Sequence, residues 1–332
     1  MVSRPFVILS VLLILGIGMF CILLRSSGKS LSYAALNNSY TTKEALEREA
    51  LSSVILNTNG TGREGVSFNY SPEKPINGTL KGVVEVGATG FNSFVINIDR
   101  EKRWKIVAKD FGSSLLYEGL TTSEDIKAGI NSYISKMFDN AVRKNDVHFV
   151  ISSGAQKSGK VKSILAELQK QGFIIHIIAP DEEARYGLLA AVPPSFHDKS
   201  FMVDIGSGNT KIAWAAGPDI HTSEAPGSKY YETKLDNSIV YHDVKQKIAA
   251  IPINQQKVCF ILGGIPYLMA NLHRNGEERY TVLYNYRNYN SANKRAASGL
   301  NIYKAVADGS KSDMFVFDWD ANFSIGYLLS LE

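Results

Sequence analysis

Two glycine-containing turns, each joining a pair of strand-like segments, are the part of this sequence that most directly suggests chemistry. The first turn follows Glu85 and the second follows Asp204. Glycine lets the backbone approach an anion closely and turn its N–H groups toward the oxygens, while hydroxyl and amide side chains add donors. Two such turns facing each other would clasp a phosphate chain. The residues predicted to contact phosphate are Gly87, Ala88, Thr89, Gly90, Gly206, Ser207, Gly208, Asn209 and Thr210.

The elements around these turns follow one order that repeats along the chain. The first half predicts three strands and a capped helix from Thr122, and then strands alternating with helices as far as Val192. A second hairpin begins at Phe201, and the second half loosely matches the first in strand and helix content. A chain of 332 residues is long enough for two lobes. The sequence therefore predicts a two-lobed protein with one glycine turn in each lobe.

Four segments resemble, in the right order, motifs of the exopolyphosphatase and guanosine pentaphosphate phosphohydrolase (Ppx/GppA) family of the actin-like ATPase superfamily. They are Glu85–Phe91, Asp181–Gly187, Val203–Thr210 and Gly263–Gly264. The resemblance extends over about residues 82–330. It implies an α/β fold with two actin-like (ribonuclease H-like) lobes and a cleft between them, over residues 81–192 and 193–332. It also implies that the terminal helix, from Asn322, returns to the first lobe.

The family resemblance also implies roles for individual residues. The family's catalytic base matches Glu183, and its Mg²⁺-holding aspartates match Glu85 and Asp204. Gly263 and Gly264 match the family's nucleotide loop. The implied reaction is hydrolysis of a phosphoanhydride in polyphosphate or a guanosine polyphosphate, with Mg²⁺ as cofactor. Without the resemblance, Glu183 would be interpreted as a solvated acid at a helix start, where the helix dipole favours it.

Two positions depart from the family pattern. Glu85 stands where the family has aspartate, and Lys211 stands where it has a second glutamate. A lysine there would attract phosphate but cannot hold a metal ion; alternatively, it points outward on an alternating strand and has no role. These departures keep open a second function, a catalytically weak, membrane-anchored phosphate or nucleotide sensor. An apyrase-like nucleotidase is a further alternative, because apyrases share the superfamily and their first motif resembles Gly87–Gly90.

The amino-terminal residues predict an anchor to the membrane. Phe6–Leu24 is apolar apart from Ser10 and long enough to span a bilayer, so residues 1–25 are expected to form a transmembrane helix. A cleaved signal peptide is the alternative. Residues 26–80, rich in Ser, Asn, Thr and Gly, are expected to form a linker or stalk. Basic residues flank both ends of the apolar run almost equally, but the short amino-terminal tail with Arg4 weakly favours a single-pass protein of the cell membrane with its globular part outside the cytoplasm.

The charge and the cysteine content limit the classes of binding partner that this chain can have. The net charge is +4, with Lys and Arg scattered among nearly as many acids, which argues against a nucleic-acid partner. The two cysteines, Cys21 and Cys259, are too far apart in the predicted organisation to form a disulfide, and the six histidines have no metal-ligand spacing. The expected partners are a polyphosphate or nucleotide polyphosphate ligand and the membrane, and the resemblance adds the possibility of a homodimer.

Overall fold

The computed structural model describes residues 54–56, 67–87, 91–111, 122–156 and 159–331. All of them belong to one compact unit, Ala50–Glu332. None of the helices in these ranges is both long and apolar enough to cross a membrane. The anchor predicted over residues 1–25 lies outside the described residues.

The described part of the chain alternates strands and helices in both halves. Its strands are β1 (Ile55–Leu56), β2 (Thr79–Val86), β3 (Phe91–Ile98), β4 (Trp104–Phe111), β5 (Val147–Ile151), β6 (Ile174–Ile177), β7 (Ser200–Ile205), β8 (Asn209–Ala216), β9 (Asp219–Pro226), β10 (Val258–Leu262), β11 (Tyr280–Val282), β12 (Tyr289–Asn290) and β13 (Met314–Asp318). Its helices are α1 (Ser123–Asp139), α2 (Gly159–Lys170), α3 (Pro180–Ala191), α4 (Asn237–Ala249), α5 (Gly264–Asn271), α6 (Lys294–Gly309) and α7 (Phe323–Ser330).

The first lobe is built on a five-stranded sheet in the spatial order β4-β3-β2-β5-β6. β2, β3 and β4 are antiparallel, whereas β5 and β6 run parallel to β2. Every residue of β5 is buried, as expected for a parallel strand covered by helices on both faces. Helices α1 and α2 pack on one face, and α7 packs on the other.

The second lobe repeats this topology. Its six-stranded sheet has the order β11-β13-β10-β7-β8-β9, in which β7, β8 and β9 are antiparallel and β10 and β13 run parallel to β7. Only the antiparallel edge strand β11 has no counterpart in the first sheet. Helices α4, α5 and α6 cover one face, and α3 covers the other. The predicted α/β fold with two related lobes is therefore confirmed.

Helices α3 and α7 lie side by side between the two sheets. α3 packs on the second sheet, and α7 packs on β2 and β3 of the first. The two helices cross at Gly326, where a Cβ would lie only 1.8 Å from the carbonyl oxygen of Tyr186. Residues Phe323–Leu329 are all buried, because α7 has a protein neighbour on every side. This helix pair connects the two lobes at the site described below.

Part of the segment assigned to a linker packs against the second lobe. The ring of Phe68 lies 5.2 Å from the rings of both Phe196 and Tyr280, and Tyr70 joins the same aromatic cluster. β1 is a short strand that pairs antiparallel with β12. Residues 54–56 and 67–70 thus contribute to the packed unit.

Candidate active site

The second glycine turn joins β7 to β8 and is braced by the residues after β9. Backbone N–H groups of Gly227, Ser228 and Lys229 donate to carbonyl oxygens of the turn, at Gly208, Gly206 and Ser207 respectively. These contacts hold the turn rigidly on the sheet. The loop beginning at Pro226 therefore supports the turn through its backbone.

The side chains predicted to bind phosphate from this turn differ in their availability. Thr210 is fully buried and its hydroxyl donates to the carbonyl oxygen of Pro226, while the Asn209 amide donates to Glu224. Gly206 is closed in by the carbonyl oxygen of Asn209, 2.7 Å from an added Cβ. Gly208 is exposed and has open space around it. The accessible edge of the turn is therefore formed by Ser207 and Gly208.

The first turn follows β2 in the other lobe. Gly87 is partly exposed just beyond the end of that strand, whereas Ala88, Thr89 and Gly90 lie outside the described residues. Glu85, near the end of β2, is buried and faces its cross-strand partner Asn92. Its Oε2 accepts hydrogen bonds from the amides of Asn92 at 2.9 Å and Asn322 at 3.1 Å.

Asn322 ties Glu85 to the helix pair. Its Oδ1 accepts from the N–H of Ser324 and so caps α7, while its Nδ2 donates to Glu85. Burial raises the pKa of the Glu85 carboxyl, the two amide donors oppose that rise, and the nearby charges of Glu183 and Asp204 add to it. Glu85 is thus a positioned carboxyl that is already hydrogen-bonded.

Glu183 lies in the first turn of α3 and is only 2% exposed. Its Oε1 accepts the backbone N–H of Ser153, which follows β5 in the first lobe. Its Oε2 lies 2.6 Å from Nζ of Lys211, on β8 of the second lobe. The interpretation of Glu183 as a solvated helix-start acid is wrong, because the side chain is buried and held by both lobes.

Lys211 is also buried, at 7% exposure, and faces Asp204 directly across the β7–β8 pair. The alternative in which this lysine points outward is therefore wrong. Burial alone would lower the pKa of the Lys211 ammonium, but the negative charges of Asp204, Glu183 and Glu85 raise it above its usual value. Burial raises the pKa of Asp204, and the ammonium of Lys211 counteracts that rise. The four side chains form one electrostatically coupled cluster.

The residues of this cluster do not fit the magnesium ion expected at Glu85 and Asp204. No group of three or more His, Cys, Asp or Glu side chains within the described ranges is placed to hold a metal ion. The ammonium of Lys211 already lies among the carboxylates. An ammonium and a divalent cation about 5 Å apart repel each other by roughly 7 kcal/mol at an effective dielectric constant near 20. The Lys211 ammonium therefore counters the charge of these carboxylates.

The glycine pair after β10 packs against the second turn. Gly263 has φ 105°, and a Cβ there would lie 2.3 Å from the carbonyl oxygen of Ile205 and 3.0 Å from Oδ1 of Asp204. This close approach places the start of α5 beside Asp204. Gly264, the first residue of α5, faces the Arg295 guanidinium, whose Nε is buried without a hydrogen-bond partner in the described part of the chain.

The structure thus brings together Glu85, Glu183, Asp204 and Gly263, all predicted from the sequence. It adds residues that the motifs did not indicate: Asn92, Ser153, Arg295 and Asn322. The sequence indicated Asn322 only as the start of the predicted terminal helix. The others are identified only by their position in space.

A separate cavity of about 670 Å³ lies at the opposite ends of α3 and α7, where Leu189 and Leu329 form part of its wall. Two arginines line it, but Arg103 is paired with Asp99 and Arg279 with Asp318. These guanidinium groups already have carboxylate partners.

Comparison with known proteins supports the fold. No protein-family model matches the sequence, and the search of curated proteins found no match. A Ppx/GppA phosphatase of Aquifex aeolicus, described as the type II variant, superimposes with a TM-score of 0.57 at 16% identity, covering 76% of this chain and 99% of that one. An exopolyphosphatase from Cytophaga hutchinsonii ATCC 33406 gives a TM-score of 0.55 at 14% identity, covering 75% of this chain and 96% of its own.

These structures define the class of fold. The described unit has the two-lobed fold of the Ppx/GppA phosphatase structures, as the sequence resemblance implied. At these identities the similarity is one of fold, so activity has to be argued from the residues of the cleft.

Proposed function

We propose that this chain binds the phosphate chain of polyphosphate or a nucleotide polyphosphate between its lobes and hydrolyses the terminal phosphoanhydride bond. The observation that carries the proposal is the position of Glu183. It is a buried carboxylate held by both lobes and coupled electrostatically to the residues that precede both glycine turns.

In the proposed reaction, Glu183 orients a water molecule and accepts its proton as the water oxygen attacks the terminal phosphorus. The bond between that phosphorus and the bridging oxygen breaks, and the electron pair leaves on the shortened phosphate chain. Backbone N–H groups at Ser207 and Gly208 would stabilise charge on the phosphoryl oxygens. The Lys211 ammonium would donate to the same oxygens, since its contact with Glu183 uses only one of its three N–H donors.

Phosphate release from polyphosphate, pppGpp and ATP tests the proposal and separates its alternatives. Glu183→Gln should reduce release by about 10²- to 10⁴-fold, as expected for loss of a general base. The matched control is Asp181→Asn, which removes one acid from an exposed position in the same helical turn and should leave release unchanged. Preference for ATP over polyphosphate would favour the apyrase-like alternative.

A second function is favoured by the contacts of Glu183 itself. Both of its oxygens already have partners, the N–H of Ser153 and the ammonium of Lys211. A carboxylate occupied in this way is also what a binding or sensing protein would contain if it held phosphate without turnover. Saturable ligand binding without phosphate release, unchanged by Glu183→Gln, would support the sensor and contradict the hydrolase.

The side of the membrane on which the cleft lies determines which ligands can reach it. We propose a single-pass membrane protein whose cleft faces out of the cytoplasm, which would favour polyphosphate or an extracellular nucleotide over pppGpp. Protease treatment of intact cells tests this orientation: loss of the globular part is expected, and full protection would contradict it.

A further inference from the structure

The cleft between the two lobes contains a buried cation of its own. Lys211 forms an ion pair with Glu183 at 2.6 Å and faces Asp204 across the strand pair. Burying a lysine is unfavourable unless the charge is compensated. Here Asp204, Glu183 and Glu85 all act on it, and together they keep the ammonium charged.

A phosphate chain that enters this cleft meets an unfavourable electrostatic balance. The three carboxylates repel a polyanion, and a divalent ion is the usual means of overcoming such repulsion. The described residues of this cleft show no metal-ligand group, and the lysine lies where its charge counters the same carboxylates. We propose that Lys211 is the fixed cation of this cleft and that the phosphate chain binds here without a divalent metal ion.

The geometry also indicates how the ligand would engage the lysine. Lys211 is the third residue of β8 and lies three residues after Gly208, which forms the accessible edge of the turn together with Ser207. A terminal phosphate at that edge can accept N–H donors of the ammonium that Glu183 does not use. Lys211 therefore acts as a ligand-binding residue while it keeps its ion pair with Glu183.

This inference rests on the proposed function, because it states that the phosphate chain binds in the same cleft in its metal-free form. The test measures tripolyphosphate binding to the full-length chain in detergent by calorimetry, once with EDTA and once with Mg²⁺. The expected dissociation constants agree within about threefold, because no metal ion contributes to the contact. Binding that is lost in EDTA and restored by Mg²⁺ would overturn the inference while leaving the proposed function intact.

Variants at position 211 give a second, independent measurement. Lys211→Met should weaken tripolyphosphate binding by about tenfold or more in both buffers, because a charge-assisted hydrogen bond is lost. The double variant Glu183→Gln/Lys211→Met removes both buried charges and replaces the single variant in this test if the single variant does not fold. Its binding of tripolyphosphate should be weakened by the same factor. Unchanged binding in either folded variant contradicts the inference.

Direct titration with Mn²⁺ completes the test. The wild-type chain should show no saturable Mn²⁺ binding, whereas Lys211→Glu, which adds a fourth carboxylate, should acquire it. If the wild-type chain binds Mn²⁺ saturably and Lys211→Glu does not increase that binding, the inference that Lys211 takes the place of a metal ion is contradicted. Absence of tripolyphosphate binding under every condition would overturn this inference together with the proposed function.

Discussion

Nζ of Lys211 and Oε2 of Glu183 lie 2.6 Å apart and join a strand of the second lobe to the helix that packs between the two sheets. The side chains are 9% and 2% exposed, so the pair is largely shielded from water. Buried pairs of this kind contribute little net stability, but removing one partner is costly because the other charge stays buried. The pair therefore affects stability, ligand binding and the availability of the candidate base at once.

Lys211→Met should reduce the free energy of unfolding by about 3–5 kcal/mol near pH 7, because Glu183 and Asp204 lose their buried counter-ion. Adding Glu183→Gln should recover part of this loss. Chemical denaturation of the single and double variants measures both effects. Lys257→Met, at an exposed lysine, is the matched control and should stay within about 0.5 kcal/mol of wild type.

The loss of unfolding free energy caused by Lys211→Met should also depend on pH. The pKa of Asp204 is raised by burial, and removing Lys211 removes the charge that holds it down. A raised carboxyl pKa favours the folded state below the unfolded pKa, and that stabilisation is lost as the pH rises through the folded pKa. The deficit of the variant should therefore be smaller near pH 4 than near pH 7. A deficit that grows on acidification would contradict this coupling.

Gly208→Ala should weaken phosphate binding without changing stability. The fold does not need glycine there, since an added Cβ meets no atom within 4 Å. A ligand approaching the backbone would meet it, so binding should fall by about tenfold, whereas the thermal midpoint should not move. Gly206→Ala is the contrasting variant. Its Cβ would lie 2.7 Å from the Asn209 carbonyl oxygen, so stability itself should fall. Tripolyphosphate titration and thermal denaturation separate the two outcomes.

Gly326→Ala should destabilise the chain by about 3 kcal/mol or more, because overpacking at this crossing displaces backbone. A Cβ there would lie 1.8 Å from the carbonyl oxygen of Tyr186, so α3 and α7 would have to separate. Gly217→Ala would test only left-handed backbone strain, because Gly217 has a positive φ and open surroundings. A Gly326→Ala variant as stable as wild type would show that α3 and α7 do not pack as described.

His148 should make the chain sensitive to acid. Burial lowers the pKa of its imidazole to about 4, helped by His176 and Lys81 and opposed by Asp146, and its Nδ1 lies 3.2 Å from the Tyr327 hydroxyl. A histidine whose pKa is lower in the folded state stabilises the protein at pH values above its unfolded pKa. This stabilisation is lost as the pH falls through the folded pKa. The free energy of unfolding should therefore fall by about 1–3 kcal/mol between pH 6.5 and 4.

His148→Gln should flatten that part of the pH dependence, whereas His242→Gln, at an exposed histidine on α4, should leave it unchanged. Denaturation curves recorded at matched ionic strength across this range check both variants. An equally steep acid loss in His148→Gln would assign the effect to other groups.

Much of the fold could be predicted from the sequence because both glycine turns are flanked by apolar strands. The repeated order of elements, the helix beginning at Asn322 and the buried parallel strands all carry strong apolar patterns. β9 was missed since its residues are mostly polar and only partly buried at the edge of the sheet. β1 and β12 are two-residue strands, too short for any periodic signal.

The residue types of the candidate site could be predicted from the sequence, but the contacts between these residues could not. Alternation along β8 could not decide which face carries Lys211; that depends on its register with Asp204 on β7. The same holds for Glu183, whose partners Lys211 and Ser153 lie 28 and 30 residues away along the chain and belong to different lobes. Motifs fix residue types locally, whereas the charge balance of a cleft is set by residues that meet only after folding.

Single-turnover phosphate release from tripolyphosphate, measured beside its binding in wild type and Glu183→Gln, tests the central claim most directly. The variant is expected to bind tripolyphosphate about as tightly as wild type, because Ser207, Gly208 and Lys211 remain, and to release phosphate at least about a hundredfold more slowly. Equal release rates in the two folded proteins would contradict a role for Glu183 in hydrolysis.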